Sequence, residues 1–141
     1  MSIEREQINA TTLRLTSGGC SFTYERLKPG VLLVTIRGDD HGQFGTATID
    51  EVNAEFERFG PLALLVDTTE ASGPTTAVME AWTAYFAANR KKLKTVCILV
   101  NAESKLLHLT VRIVKHLSGT GGLLQIVDER KAFEEMARRN A

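Results

Sequence analysis

The fold class is decided by residues 60–67, which read GPLALLVD. Gly60 and Pro61 end the segment before them, because proline cannot continue a helix. The next five residues, Leu62 to Val66, are all apolar. A short apolar run bounded by breakers is typical of a strand that is covered on both faces. This stretch therefore predicts a central strand of a layered α/β domain.

Helices are predicted before and after this strand along the chain. Apolar residues recur at helical spacing in four segments, at about 46–59, 74–91, 103–118 and 128–139. Two further apolar runs, 95–100 and 123–127, predict strands between them. Strands that alternate with helices must be joined by crossovers, and a crossover of helical length produces parallel strands.

The N-terminal third predicts a different arrangement. Residues 21–27 and 31–37 are strand-like, and Lys28-Pro29-Gly30 between them predicts the turn of a β-hairpin. Residues 1–19 form a polar N-terminal segment with at most a short edge strand, and residues 20–141 form a single domain. The expected architecture is α/β, with a mixed, mainly parallel sheet edged by an N-terminal β-hairpin and about four helices packed on it.

Composition excludes several classes of function. Seventeen basic residues balance seventeen acidic ones, so the chain lacks the excess of positive charge that non-specific nucleic-acid binding requires. The two cysteines, Cys20 and Cys97, predict a reduced pair rather than a disulfide framework. The N-terminus lacks the apolar core of a signal peptide, and no apolar run is long enough to span a bilayer. We expect a cytoplasmic protein.

No metal or cofactor is predicted. His108 and His116 are eight residues apart on one predicted helix, about 12 Å along its axis, so they cannot share an ion, and His41 lies far away in the sequence. Glycines 119, 121 and 122 resemble a phosphate loop, but they follow a helix and open a strand. A phosphate loop has the opposite order.

A catalytic site is not predicted either. Cys97 lies in the middle of a strand, and no nucleophile is accompanied by a base. Asp67 ends the strand 62–66, at the edge where α/β proteins place ligands, but alone it is better interpreted as a turn-forming residue. An enzyme centred on Asp67 and its neighbouring threonines is a hypothesis that ranks below two binding functions, one for a partner protein and one for a small molecule or an anionic lipid.

Residues 67–76, here called the polar turn, form the first candidate site. Their hydroxyl and carboxyl groups are either helix caps or a partner-binding turn with a phosphoacceptor. The candidate residues are Asp67, Thr68, Thr69, Ser72, Thr75 and Thr76.

The second candidate site is a basic face on the helix 103–118. Residues 90–116 hold seven bases and one acid, whereas residues 39–60 hold six acids and one base. The basic face is predicted to lie opposite the leucines of its helix. It is either a solvated surface or a docking face for an acidic partner or an anionic membrane. Its members are Lys105, His108, Arg112, Lys115 and His116.

The element order and four local segments resemble a STAS domain, in particular the SpoIIAA-like group related to anti-sigma-factor antagonists. The resemblance covers about residues 20–139. It rests on the hairpin 22–37, the strand 62–66 with the polar turn after it, RIVKHLSG at 112–119, and IVDERKAF at 126–133.

This resemblance implies a non-enzymatic bacterial module that binds a partner protein, such as an anti-sigma-type kinase or a larger signalling complex. Some members are switched by phosphorylation in an Asp-Ser-Ser-Gly stretch. The matching residues here are Gly73-Pro74-Thr75-Thr76, which lack the aspartate and both serines. Thr75 is the closest hydroxyl, and the departure argues against the usual switch.

The leading hypothesis is therefore a non-catalytic regulatory module that binds a partner protein. The alternative is a module of the same fold that binds a small molecule or an anionic lipid. The opposite charge blocks and an exposed sheet edge also favour a homodimer.

Overall fold

A computed structural model describes residues 2–72, 74–119 and 122–140, except for the side chains of Lys105, Leu106 and Ser118. In these residues, seven strands form one sheet whose spatial order is the chain order. The strands are β1 (Glu4–Asn9), β2 (Thr12–Ser17), β3 (Cys20–Lys28), β4 (Val31–Gly38), β5 (Leu62–Ala71), β6 (Leu93–Leu99) and β7 (Leu124–Val127). The helices are α1 (Ala47–Phe59), α2 (Thr76–Ala88), α3 (Lys105–Ser118) and α4 (Arg130–Asn140), with a 3-10 turn at Arg90–Lys92.

The sheet changes character at β4. Strands β1 to β4 pair antiparallel, and β4 to β7 pair parallel. Crossovers between parallel strands are almost always right-handed, so three crossovers in one direction place their helices on one face. Helices α1, α2 and α3 pack on that face, here called the three-helix side, and α4 packs on the other, here called the α4 side.

Side chains of the central strands alternate between these two sides. Leu62 and Leu64 of β5 join the core of the three-helix side, whereas Ala63 and Leu65 join the core of the α4 side. Both faces of β5 are covered, so its apolar residues need no polar alternation. The predicted α/β class with a mixed sheet and four helices is confirmed.

The antiparallel part of the sheet is larger than one hairpin. Residues 4–17 form two strands, β1 and β2, where the sequence predicted at most one short edge strand. Leu13 and Leu15 of β2 are buried, which explains their alternation with polar residues. All six residues of β1 are exposed, so this strand has no apolar pattern that could have predicted it.

Strand β5 is longer than predicted and extends to Ala71. The end of β4 continues to pair with it, with Arg37 opposite Glu70 and Gly38 opposite Ala71. Arg37 also forms an ion pair with Glu70. The prediction that Asp67 ends its strand is therefore wrong, and the first half of the polar turn belongs to β5.

A close approach of two glycines sets the path of the chain after β4. Gly38 has a φ of +84°, and a Cβ on this residue would overlap the carbonyl oxygen of Gly19. Only glycine fits this position without a backbone shift. The chain then enters the loop that contains Asp40. Gln43 fixes this loop by donating to the carbonyl oxygens of Asp39 (2.9 Å) and Ser17 (3.2 Å).

Candidate binding site

Asp67 lies on the α4 side and is fully engaged by its neighbours. Its Oδ1 accepts hydrogen bonds from the backbone N–H of Thr69 at 3.0 Å and from the Thr69 hydroxyl at 2.7 Å. Its Oδ2 accepts from Nη2 of Arg130, the first residue of α4, at 3.0 Å. Asp67 is 9 % exposed. The carboxylate thus joins the start of α4 to the end of the sheet.

The charge state of Asp67 follows from these contacts. Burial raises the pKa of Asp67, but the hydrogen bonds from Thr69 and the guanidinium of Arg130 outweigh burial and hold the pKa below its usual value. A general base needs a pKa near the working pH and access to a substrate. Asp67 has neither, which favours a structural role over a catalytic one.

The other residues of the polar turn point in different directions. Thr68 is buried on the three-helix side, where its hydroxyl donates to the carbonyl oxygen of Leu99 at 2.7 Å. Ser72 is exposed, and its backbone N–H donates to the carbonyl oxygen of Gly38. The structure therefore does not bring the six predicted residues together at one site.

Thr75 and Thr76 differ in accessibility. Thr75 is the N-cap of α2, and its Oγ1 accepts from the backbone N–H of Val78 at 3.4 Å. Thr76 is the first helical residue and is exposed. Gly73, which belongs to the stretch that matches the family's phosphoacceptor region, lies outside the described residues. Of the two threonines, Thr76 is the hydroxyl that a modifying enzyme could reach.

The predicted basic face is only partly exposed. Arg112 and His116 are exposed, and His108 and Lys115 are half-buried. The side chain of Lys105 lies outside the described part of the chain. The residues Thr120 and Gly121 of the glycine-rich stretch after α3 also lie outside it.

An exposed apolar row lies beside these bases. Leu107, Val111 and Val114 are buried against the sheet as predicted, but Leu109, Ile113 and Leu117 are 55 %, 36 % and 61 % exposed. The prediction that the leucines of this helix lie opposite its bases is therefore wrong for Leu109 and Leu117, and Ile113 is exposed beside them. We name the exposed surface formed by Leu109, Arg112, Ile113, His116 and Leu117 the α3 face.

The geometry of an α-helix explains the α3 face. Residues separated by four positions lie on one side, so Leu109, Ile113 and Leu117 form a continuous row. Arg112 and His116 follow the same spacing in the adjacent row. The result is a surface that is apolar along one edge and carries Arg112 and His116 along the other.

A cavity lies beneath α2 and α3, a feature that the sequence did not predict. Its volume is about 120 Å³. Its floor is the sheet, with Phe22, Val34 and Leu64, and its roof includes Trp82 of α2 and Val111 of α3. Nearly all of the lining is apolar.

Asp40 lies at the end of this cavity next to the polar turn. It is 7 % exposed, and its Oδ1 accepts from the backbone N–H of Gly42 at 3.0 Å. Its carbonyl oxygen accepts from the backbone N–H of Thr75, which joins this loop to the start of α2. Burial raises the pKa of Asp40 above its usual value. The signal that could have found it is an aspartate just after a predicted strand.

The two thiols are not exposed nucleophiles. Cys20 is 1 % exposed, and burial followed by the charges of Asp40 and Asp39 raises its pKa to about 12. Cys97 is fully buried, and burial raises its pKa as well. A cysteine attacks as the thiolate, so neither residue is prepared for nucleophilic chemistry.

The described residues contain no group of three or more His, Cys, Asp or Glu residues that could hold a metal ion. None of the helices in these residues is both long and apolar enough to cross a membrane.

Comparison of the structure with solved structures shows that the chain has the SpoIIAA-like fold. An uncharacterised protein of the DUF3478 family with a SpoIIAA-like fold, from Shewanella loihica PV-4, matches with a TM-score of 0.61 and 16 % identity, over 85 % of this chain and 96 % of the other. An anti-sigma factor antagonist from Mycobacterium paratuberculosis matches with a TM-score of 0.56 and 14 % identity, over 84 % and 94 % of the two chains. No protein-family model and no curated protein sequence matches.

Proposed function

We propose that the chain is a non-catalytic regulatory module that binds a partner protein through the α3 face. A protein of the same fold is described as an anti-sigma factor antagonist, which supports a regulatory role for this fold. The partner we propose is an anti-sigma-type kinase or a component of a larger signalling complex in a bacterial cytoplasm. The resemblance of the sequence to STAS domains supports the same choice.

The observation that carries this proposal is the exposed apolar row of α3. Single exposed apolar side chains are ordinary, but three in line on one helix form a patch, and such patches mark interaction sites. Leu109 and Leu117 leave more than half of their surface in water. Fully burying an exposed leucine contributes about 1.5–3 kcal/mol, and the exposed part of each of these two would contribute roughly half of that, so this row is suited to form the centre of an interface.

The charges of the α3 face define its partner further. Arg112 lies beside the apolar row, and arginine is enriched in the energetically important parts of interfaces. The described residues of α3 contain no carboxylate. A complementary partner surface would therefore be an apolar groove with acidic residues along one rim.

An anionic membrane is the competing ligand for this surface. Each Lys or Arg near an anionic bilayer contributes about 1 kcal/mol of attraction. Among the described side chains of α3, only Arg112 and Lys115 carry a full positive charge, and Lys115 is half-buried. The described cations of α3 itself are few, which supports a protein partner over a lipid surface.

Three observations support the non-catalytic part of the proposal. Both thiols are buried with raised pKa values. The carboxylate of Asp67 accepts three hydrogen bonds, and burial limits its access to a substrate. This environment counts against the hypothesis of an enzyme centred on Asp67.

We also propose that the polar turn regulates this binding. Thr76 is exposed at the first position of α2, where the helix dipole favours a negative group. A phosphate on Thr76 would add about two negative charges at the start of α2. We expect Thr76→Asp to weaken partner binding, whereas Thr76→Ala leaves it unchanged.

Site-specific photo-crosslinking tests the proposal in the source organism. A photoreactive amino acid is placed at Leu109, and the matched control carries it at Leu27, which is also exposed (40 %) but lies at the end of β3. We expect the Leu109 variant to form an adduct with one protein and the Leu27 variant to form none. The adduct is identified by mass spectrometry, and the complex is then rebuilt from purified proteins.

Three results would contradict the proposal. Equal adducts from both positions would show non-specific contact. An adduct of the chain with itself would assign the α3 face to a homodimer. Recovery of the protein only with anionic vesicles in a flotation assay, with loss on Arg112→Glu, would assign the face to a lipid surface.

A further inference from the structure

The cavity beneath α2 and α3 is large enough for a ligand. Its volume is about 120 Å³. The cavity is partly open to solvent, because several lining residues, among them Met79 and Trp82, are only half-buried. An engineered apolar cavity of about 150 Å³ stays dry and binds benzene, so the space here fits a six-membered ring or a short alkyl chain.

The polar groups of the cavity define the chemistry of that ligand. Asp40 is only 7 % exposed, and the one described hydrogen bond to its carboxylate comes from the backbone N–H of Gly42. None of the described Lys or Arg side chains pairs with it. His41 is exposed and lies 3.7 Å from Asp39, and its charge offsets only part of the effect of burial on the pKa of Asp40. A buried carboxylate that lacks a paired Lys or Arg is costly, and a bound cation would reduce that cost.

Thr68 also favours a ligand that donates a hydrogen bond. It lines the cavity, and its hydroxyl proton is donated to the carbonyl oxygen of Leu99. The hydroxyl oxygen can then only accept a further hydrogen bond. Both Asp40 and Thr68 therefore favour a donor, and the charge of Asp40 disfavours an anionic ligand such as a carboxylic acid.

We propose that this cavity binds a small amine whose ammonium group pairs with Asp40 and whose ring or short alkyl chain fills the apolar space. The proposal does not depend on the partner protein, because it rests on the inner surface of α3 and not on the α3 face. The bound amine lies beside the start of α2, because the carbonyl oxygen of Asp40 accepts from the backbone N–H of Thr75.

Titration of the purified full chain with three related compounds tests this proposal. The probes are benzylamine, which is protonated at neutral pH, benzyl alcohol, which is neutral, and benzoate, which is anionic. Binding is followed by the amide shifts of Gly42 and Thr75 in proton–nitrogen NMR spectra. We expect benzylamine to bind on the order of tenfold more tightly than benzyl alcohol, because a charged hydrogen bond is stronger than a neutral one. Benzoate should show no saturable binding.

Three variants localise the effect. Asp40→Asn keeps an oxygen for the Gly42 N–H, so it should lower benzylamine affinity on the order of tenfold and leave benzyl alcohol unchanged. Asp39→Asn removes the same charge from an exposed neighbour and should change neither. Val111→Phe should fill the cavity and abolish binding of both compounds.

Several outcomes would overturn the proposal. These are no saturable binding of benzylamine, equal affinity for benzylamine and benzyl alcohol, and an equal loss of benzylamine affinity in the Asp39 and Asp40 variants. Unchanged binding in Val111→Phe would place the ligand elsewhere. If the Asp40 variant does not fold, the comparison of the three probes on the unaltered chain and the Val111 variant still decides.

Discussion

The two sides of the sheet each contain a buried aspartate, but the hydrogen bonds to these residues and the directions of their pKa shifts differ. On the α4 side, Asp67 accepts hydrogen bonds from Thr69 and Arg130, and its pKa is lowered. On the three-helix side, Asp40 ends a cavity, accepts one described hydrogen bond, and its pKa is raised. Both residues are near the carboxyl ends of neighbouring parallel strands.

This difference supports the proposed ligand site on the three-helix side of the sheet. A carboxylate with all of its partners inside the chain stabilises the fold. A carboxylate that is buried without a counter-charge destabilises the fold unless a ligand supplies one, and such groups cluster at functional sites. The exposed row of α3 lies on the same side, so both proposed binding surfaces belong to the three-helix side.

Enlarging one valine on each side of the sheet tests the difference in packing. Val31 and Val34 lie on β4 and are both 3 % exposed, but Val31 packs on the α4 side and Val34 lines the cavity. Val31→Ile should destabilise by about 1–3 kcal/mol through overpacking. Val34→Ile should be neutral or stabilise by about 0.5–1 kcal/mol, because the added methyl group enters empty space. Urea unfolding measures both changes. An equal loss of stability in the two variants would show that the cavity has no room for the methyl group added at Val34.

Neutralising the two carboxylates should change stability with opposite signs. At pH 7, Asp67→Asn should lower the free energy of unfolding by about 1 kcal/mol, because the ion pair with Arg130 is lost. Asp40→Asn should raise it by about 1 kcal/mol, because an uncompensated buried charge is removed.

The pH dependence of these two variants separates charge from packing. The pKa of Asp67 is lowered in the folded state, so its contribution is present above its unfolded pKa of about 3.9 and is lost as the pH falls through the folded pKa. The pKa of Asp40 is raised, so the gain from Asp40→Asn should disappear as the pH falls through that raised pKa towards about 4. Equal signs at pH 7, or differences that persist unchanged at pH 3, would contradict the assignment.

The smallest effect is expected within the polar turn. Thr75→Ala removes the N-cap of α2 and should destabilise by about 1 kcal/mol. Thr76→Ala changes an exposed side chain and should stay within about 0.5 kcal/mol. Thermal unfolding of the two variants measures this contrast. A larger loss for Thr76→Ala would show that the hydroxyl of Thr76 is structural and not a surface group.

Local sequence patterns predicted most of the fold. The apolar run 62–66, the hairpin with Lys28-Pro29-Gly30 and the four helices depend on neighbouring residues, which one sequence displays. Strand β1 was not predicted because all of its side chains are exposed. The extension of β5 to Ala71 was not predicted because it depends on pairing with β4, a contact between distant segments.

The candidate site was less predictable for the same reason. Seven apolar residues occur on the fourteen-residue helix α3, more than one sheet face can cover, and the pattern does not say which of them remain exposed. Asp40 follows a predicted strand, but its burial and its missing counter-charge depend on the way α2 and α3 cover the sheet. A cavity is a property of packing and has no local sequence pattern.

The most direct test of the account is the dissociation constant of the crosslinked partner, measured with two purified variants. The first carries Leu109→Glu and Leu117→Glu on the α3 face, and the control carries Leu27→Glu at the end of β3. We expect the double variant to lose at least tenfold in affinity, because burying the exposed parts of two leucines contributes about 1.5 kcal/mol or more. The control should bind like the unaltered chain. Unchanged affinity of the double variant, with its fold intact by circular dichroism, would contradict the claim that this protein acts by binding a partner through α3.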